Sequence, residues 1–140
     1  MDVAKDIAKY VEGFRKEKQA QKNAKQLFEK EIQRIKLILE LKLSTFYDRV
    51  EGYTTPGDFL KQNKAENSYV FGDTGIALYY RTPTEVEEYL TAILNVSSIE
   101  SDSYVFKVAF NGTNFYWEYK NGELTDEKFD EIMSEIIFGN

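Results

Sequence analysis

Glu31 to Val50, EIQRIKLILELKLSTFYDRV, is the most apolar window of the chain, and its reading decides the fold. Read as a strand, Ile35, Leu37, Leu39, Leu41 and Leu43 alternate with Lys36, Ile38, Glu40 and Lys42. Read as a helix, Phe28, Ile32, Ile35, Leu39, Leu43, Phe46 and Val50 step by three or four residues down one face. The helix is the better reading. The run is rich in Leu rather than Val or Thr, no Gly or Pro interrupts it, and the stripe continues upstream. Leu37, Ile38 and Leu41 then widen the apolar face to more than half of the circumference. A helix of this kind needs cover on most sides. Either the segment from Val3 to Phe14 folds back over it, or another chain does.

Upstream, Val3, Ile7, Tyr10, Val11 and Phe14 form a stripe on a first helical stretch, with Asp2 placed to cap it and Asp2 and Asp6 suited to the positive end of the helix dipole. Gly13 is a weak point. Arg15 to Gln26, RKEKQAQKNAKQ, is nearly devoid of apolar residues yet full of helix formers. One long helix and a helical hairpin both fit. Residues 1–26 read as a helical extension of a single α+β domain whose core is 27–140.

Downstream, Glu51 to Asn67 reads as irregular, broken by Gly52 and the Thr55-Pro56-Gly57 turn. A doubled pattern follows. Ser68-Tyr69-Val70-Phe71 recurs as Ser103-Tyr104-Val105-Phe106, each starting a hairpin that leads to a helix. In the first unit, Ile76 to Arg81 is the return strand. Thr82 caps a helix carrying Val86, Tyr89, Leu90 and Ile93, with Pro83 at its first position and Glu85 closing a capping box. In the second unit, Asn111-Gly112-Thr113 is the turn and Phe115 to Lys120 the return strand. Asn121-Gly122 turns again, and Thr125 caps a last helix carrying Phe129, Ile132, Met133 and Ile136. The expected fold is α+β in the order α-ββα-ββα: a long N-terminal helical element on an antiparallel sheet of about four strands, with two further helices.

Composition narrows the chemistry. The 140 residues include no Cys and no His. Disulfides, thiolate nucleophiles, Cys-based zinc sites and the usual imidazole base are therefore missing from this chain. Net charge is −6, divided unevenly. Residues 1–45 hold eleven Lys/Arg against seven Asp/Glu (+4), and residues 46–140 hold seven against seventeen (−10). The acidic part repels nucleic acid and anionic membrane. The basic stretch Arg15, Lys16, Lys18, Lys22 and Lys25 lacks interleaved aromatics, so nucleic acid is not expected as a partner. No window approaches the ~20 apolar residues of a membrane span. The N-terminal residues lack a signal-peptide pattern, which leads to the expectation of a cytoplasmic protein or of a virion component assembled there.

Two constellations invite a catalytic or metal reading. Asp73-Thr74-Gly75 resembles the aspartic-protease triplet, but Gly72 stands where those enzymes have a bulky apolar residue, and between Phe71 and Ile76 the string serves simply as a hairpin turn. Asp126, Glu127, Asp130, Glu131 and Glu135 stud the last helix at the spacing of a solvated face rather than of a cation loop. No phosphate loop or dinucleotide fingerprint is present. The expectation is a non-enzymatic protein with no catalytic, cofactor or metal site. Its partner is another protein or a second copy of itself, met through Leu37 and Leu41 on the helix and Tyr79 and Tyr116 on the sheet.

Tyr47, followed by Tyr53-Thr54-Thr55-Pro56-Gly57-Asp58-Phe59-Leu60 after two helical stretches, resembles the loop of head–tail joining or tail-completion proteins of tailed bacteriophages. The resemblance covers this segment and the element order. It departs where that family has Arg-Thr before the Gly and this chain has Thr55-Pro56, and in lacking a later Gly-Thr and Pro-rich segment. It implies a mechanical role, as a ring-forming or adaptor subunit. The acidic balance of residues 46–140 supports an alternative: a small acidic inhibitor or immunity protein that binds a target, by nucleic-acid mimicry in one form.

Overall fold

The computed structural model describes residues 2–81, 89–97 and 104–139. The chain divides into two compact units, residues 1–33 and 34–140. Helix α1, Val3–Glu51, begins in the first and ends in the second.

The first unit is helical throughout its described length beyond Asp2. Asp2 starts the helix as expected, its carboxylate accepting from the Lys5 amide at 3.3 Å. Gly13 does not interrupt α1, although Gly costs about 1 kcal/mol against Ala in a helix interior. The polar run after it is held by local pairs, Arg15 to Glu12 at 3.2 Å and the Gln19 amide donating to Asn23 at 2.9 Å. The stretch is one helix rather than a hairpin. Val3, Ile7, Tyr10, Val11 and Phe14 all stay exposed.

In the second unit the helical reading of the opening window holds. Ile35, Leu39, Leu43 and Tyr47, four residues apart, are buried, and each contributes about 1.5–3 kcal/mol relative to exposure. Tyr47 takes the innermost place foreseen for Phe46 and Val50, which are half-buried. This stripe lies on a seven-stranded antiparallel sheet in simple sequential order: β1 Leu60–Asn63, β2 Ser68–Phe71, β3 Thr74–Arg81, β4 Thr91–Val96, β5 Tyr104–Phe110, β6 Phe115–Tyr119 and β7 Gly122–Glu123. Buried side chains tie helix to sheet through hydrogen bonds. The Trp117 indole donates to the Ile35 carbonyl at 2.8 Å, Tyr80 to the Lys36 carbonyl at 3.2 Å, and Tyr47 to the Leu60 carbonyl at 3.3 Å. Helix α2, Asp126–Phe138, lies beside α1 on the same face and buries Phe129, Ile132, Met133 and Ile136. Thr125 caps α2 as expected, accepting from the Lys128 amide at 3.1 Å, and Gly139 ends it at φ 73°.

The α+β class, the long N-terminal helix, the antiparallel sheet and the capped last helix agree with the sequence reading. The strand count and element order do not. Seven strands replace four, and α2 is the one further α-helix among the described residues. The expected capping box at Thr82, Pro83 and Glu85 lies outside the described residues, but Thr91–Val96 belongs to a strand. The reason is burial on both faces. Ala92 sits between Tyr80 and Phe106, Leu94 between Leu78 and Tyr104, and five of the six β4 side chains are buried, so β4 shows no alternation to distinguish it from a helix. The doubled unit fails with it, since Ile93 is in a strand and Ile136 in a helix. Part of the region read as irregular is also a strand. β1 pairs Leu60 with Phe71 and Asn63 with Ser68, and a 3₁₀ turn, Lys64–Glu66, follows it.

The expected turns are present with shifted boundaries. Asn111 accepts from the Thr113 and Asn114 amides at 2.9 and 2.8 Å, and Gly112 adopts φ 95°. At the other turn the central residues are Lys120 and Asn121, at φ 49° and 65°, and Gly122 opens β7.

Candidate functional site

The α1 face opposite the buried stripe is built by the same periodicity that makes the core. Leu37 and Leu41 are each 51% exposed, and Ile38 lies beside them. A shallow groove of about 480 Å³ continues this face toward α2 through Ile38, Leu41, Thr45 and Phe129. Two ion pairs cross it. Lys42 bonds Asp126, and Arg49 grips Asp130 with two nitrogens at 2.6 and 3.2 Å. The Lys42 ammonium holds the Asp126 carboxyl below the usual carboxylate range, and the Asp130 hydrogen bond raises Arg49 further. Paired charges thus border the uncovered apolar strip on its α2 side.

Tyr79 and Tyr116 lie elsewhere. Tyr79 pairs across β4 with Ile93, and Tyr116 pairs with Ala109, which places both on the sheet face opposite Trp117 and Tyr80. Three strand spacings and a register offset of four residues separate them, about 19 Å in all. Tyr79 is about half exposed and Tyr116 is half-buried. The structure therefore brings Leu37 and Leu41 together and leaves the two tyrosines apart, on the other side of the molecule.

The Asp-Thr-Gly string serves the fold. Gly72 and Asp73 make a two-residue hairpin between β2 and β3, with Gly72 at φ 68°. Thr74 is buried, and the Gly75 amide donates to Ser97 Oγ at 2.8 Å. A Cβ at Gly75 would stand 2.9 Å from that oxygen, so the glycine permits a close approach. On α2, Asp126 and Asp130 are engaged by α1 cations, while Glu127, Glu131 and Glu135 are exposed, Glu131 within 3.4 Å of the neighbouring Lys128 ammonium. Among the described residues no group of three or more acidic side chains is placed to hold a metal ion. None of the described helices is long and apolar enough to cross a membrane.

A second concavity escaped the sequence reading. A groove of about 780 Å³ opens between the end of α1, the end of α2 and the β1–β2 edge. Its floor is Phe46, Phe71, Met133 and Ile137, and its lips include the exposed Phe59 and Phe138. Three carboxylates, Asp58, Asp73 and Asp130, line it, with no Lys or Arg among the described lining residues. Three stretches of chain, 46–60, 71–74 and 130–138, build this groove, so no local pattern announces it.

No protein-family model, curated protein or solved structure matches this chain.

Proposed function

We propose that the protein is a non-enzymatic assembly subunit that associates with further copies of itself through the outward face of α1, formed by Leu37, Ile38 and Leu41. One observation carries the reading: α1 buries a full stripe under the sheet and still presents a second apolar strip to solvent. A lone exposed Leu needs no explanation, but three neighbouring apolar side chains bordered by salt bridges on the α2 side have the composition of the edge of an interface core. The resemblance of the Tyr47–Leu60 segment to phage head–tail joining proteins agrees with a structural or adaptor role of this kind.

Light scattering on the wild type and on Leu41→Asp tests it. Leu41 is half exposed, so the substitution costs the fold about 1–2 kcal/mol from lost partial burial and helix propensity. The expected result is a wild-type mass above the monomer and a folded Leu41→Asp of lower mass. A wild type that stays monomeric at high concentration would contradict the proposal. That outcome would favour the alternative of an acidic inhibitor, which rests on the −10 of residues 46–140 and the outward Glu127, Glu131 and Glu135.

A further inference from the structure

We infer that the groove between the ends of α1 and α2 receives the Val3–Phe14 segment of a second copy, giving a head-to-tail contact distinct from the α1 outer face. Two features unexplained by the fold are complementary. Val3, Ile7, Tyr10 and Phe14 project from one side of the first unit at spacings of four, three and four, all exposed, which is the anchor pattern of a helix that lies in an apolar groove. The groove supplies an apolar floor with exposed aromatic lips, of a volume within the range of specific binding pockets.

Charge adds to the match through the run that follows the stripe. The groove carries Asp58, Asp73 and Asp130 and no cation among its described lining residues. Arg49 engages Asp130, and Lys61 stands 3.7 Å from Asp58, whereas Asp73 forms no ion pair with a described residue. The stripe itself is charge-balanced, Lys5 and Lys9 against Asp6 and Glu12, and the positive excess follows it in Arg15, Lys16 and Lys18 against Glu17. The cations that follow the stripe, Arg15, Lys16 and Lys18, are attracted by the carboxylates at the groove, of which Asp73 has no cation of its own among the described residues. Because the two surfaces differ, the contact is heterologous. Repetition of it builds a ring or an open chain rather than a two-fold dimer.

Complementary variants test this, all made in the full chain with Leu41→Asp so that the α1 outer face is disabled. One carries Ile7→Asp and Phe14→Asp. The other carries Phe59→Lys and Asp73→Lys. All four positions are exposed, so the fold is retained, as circular dichroism will verify. Each variant alone is expected to be monomeric by sedimentation equilibrium, and an equimolar mixture to form a 1:1 dimer. The affinity of that dimer should fall several-fold as ionic strength rises from about 0.01 to about 1 M. Absence of the mixed dimer would overturn the inference. So would continued self-association of the groove variant, since the stripe would then be pairing with something other than the groove. The outcome is independent of whether Leu41→Asp affects assembly by itself.

Discussion

Replacing Trp117 by Phe probes the joint between helix and sheet. Trp117 is buried, its indole donates to the Ile35 carbonyl at 2.8 Å, and its ring stacks on Tyr80 at 6.3 Å between centroids. Phe keeps one ring and removes the donor. The Ile35 carbonyl retains its helical partner four residues on, so no buried acceptor is orphaned, and the lost hydrogen bond costs about 0.5–1.5 kcal/mol. Shrinking the side chain leaves a void of roughly 40 Å³, which at ~24 cal/mol per Å³ adds about 1 kcal/mol. The expected loss is therefore about 2 kcal/mol, or about 6–12 °C in Tm for a domain of this size. The assay is urea and thermal unfolding followed by far-UV circular dichroism, because the substitution removes the chain's single Trp and with it the fluorescence signal. An unchanged denaturant slope is expected, since the surface exposed on unfolding stays the same. A loss below about 0.5 kcal/mol would refute the reasoning, because a buried, bonded indole cannot be trimmed so cheaply.

Other consequences are checked in the same way. Leu39→Asp places an unpaired carboxylate at a fully buried position, and a loss above about 4 kcal/mol, seen as an unfolded spectrum, is expected. Gly75→Ala should cost about 1–2 kcal/mol through its contact with Ser97 Oγ, and adding Ser97→Ala should recover part of it in a double-mutant cycle. Asp126 has its carboxyl held low by Lys42, so its contribution is present above the ordinary carboxylate value near ~4 and is lost as pH falls through the lowered one. Lys42→Met should lower Tm slightly at neutral pH, where the pair is formed, and converge on the wild type as pH falls through the lowered Asp126 value, so that the acid limb is flatter. The neutral loss is small because the Asp126 side chain is largely in water.

What could be read in advance follows from where periodicity survives folding. α1 was legible because even its polar run, RKEKQAQKNAKQ, is made of helix formers, and its core stripe keeps a four-residue step through Ile35, Leu39 and Leu43. β5 and β6 were legible because one face is buried and the other is not, so Phe106 and Val108 alternate with Lys107. β4 lost that signal through burial on both faces, and its apolar run passed for a helix. β1, with the sequence LKQN, exposes three of its four side chains. Its extended state comes from pairing with β2, which is information held outside the segment. The same distinction applies to the surfaces. The outer strip of Leu37 and Leu41 lies on one helix and shows in its circumference. The acidic groove joins Phe46, Phe59, Phe71 and Met133 from four elements and loops, which only the tertiary fold brings together.

The chain has no cysteine, so a single Leu41→Cys offers an unambiguous attachment point for a spin label on the α1 outer face. The mobility of that label as protein concentration rises measures directly whether this face is covered by another copy, with a label at the exposed Lys107 on the far side of the sheet as control. The account predicts immobilisation at position 41 at concentrations where light scattering shows assembly, and unchanged motion at position 107. A label at position 41 that stays as mobile in the assembled protein as in the dilute one would contradict it.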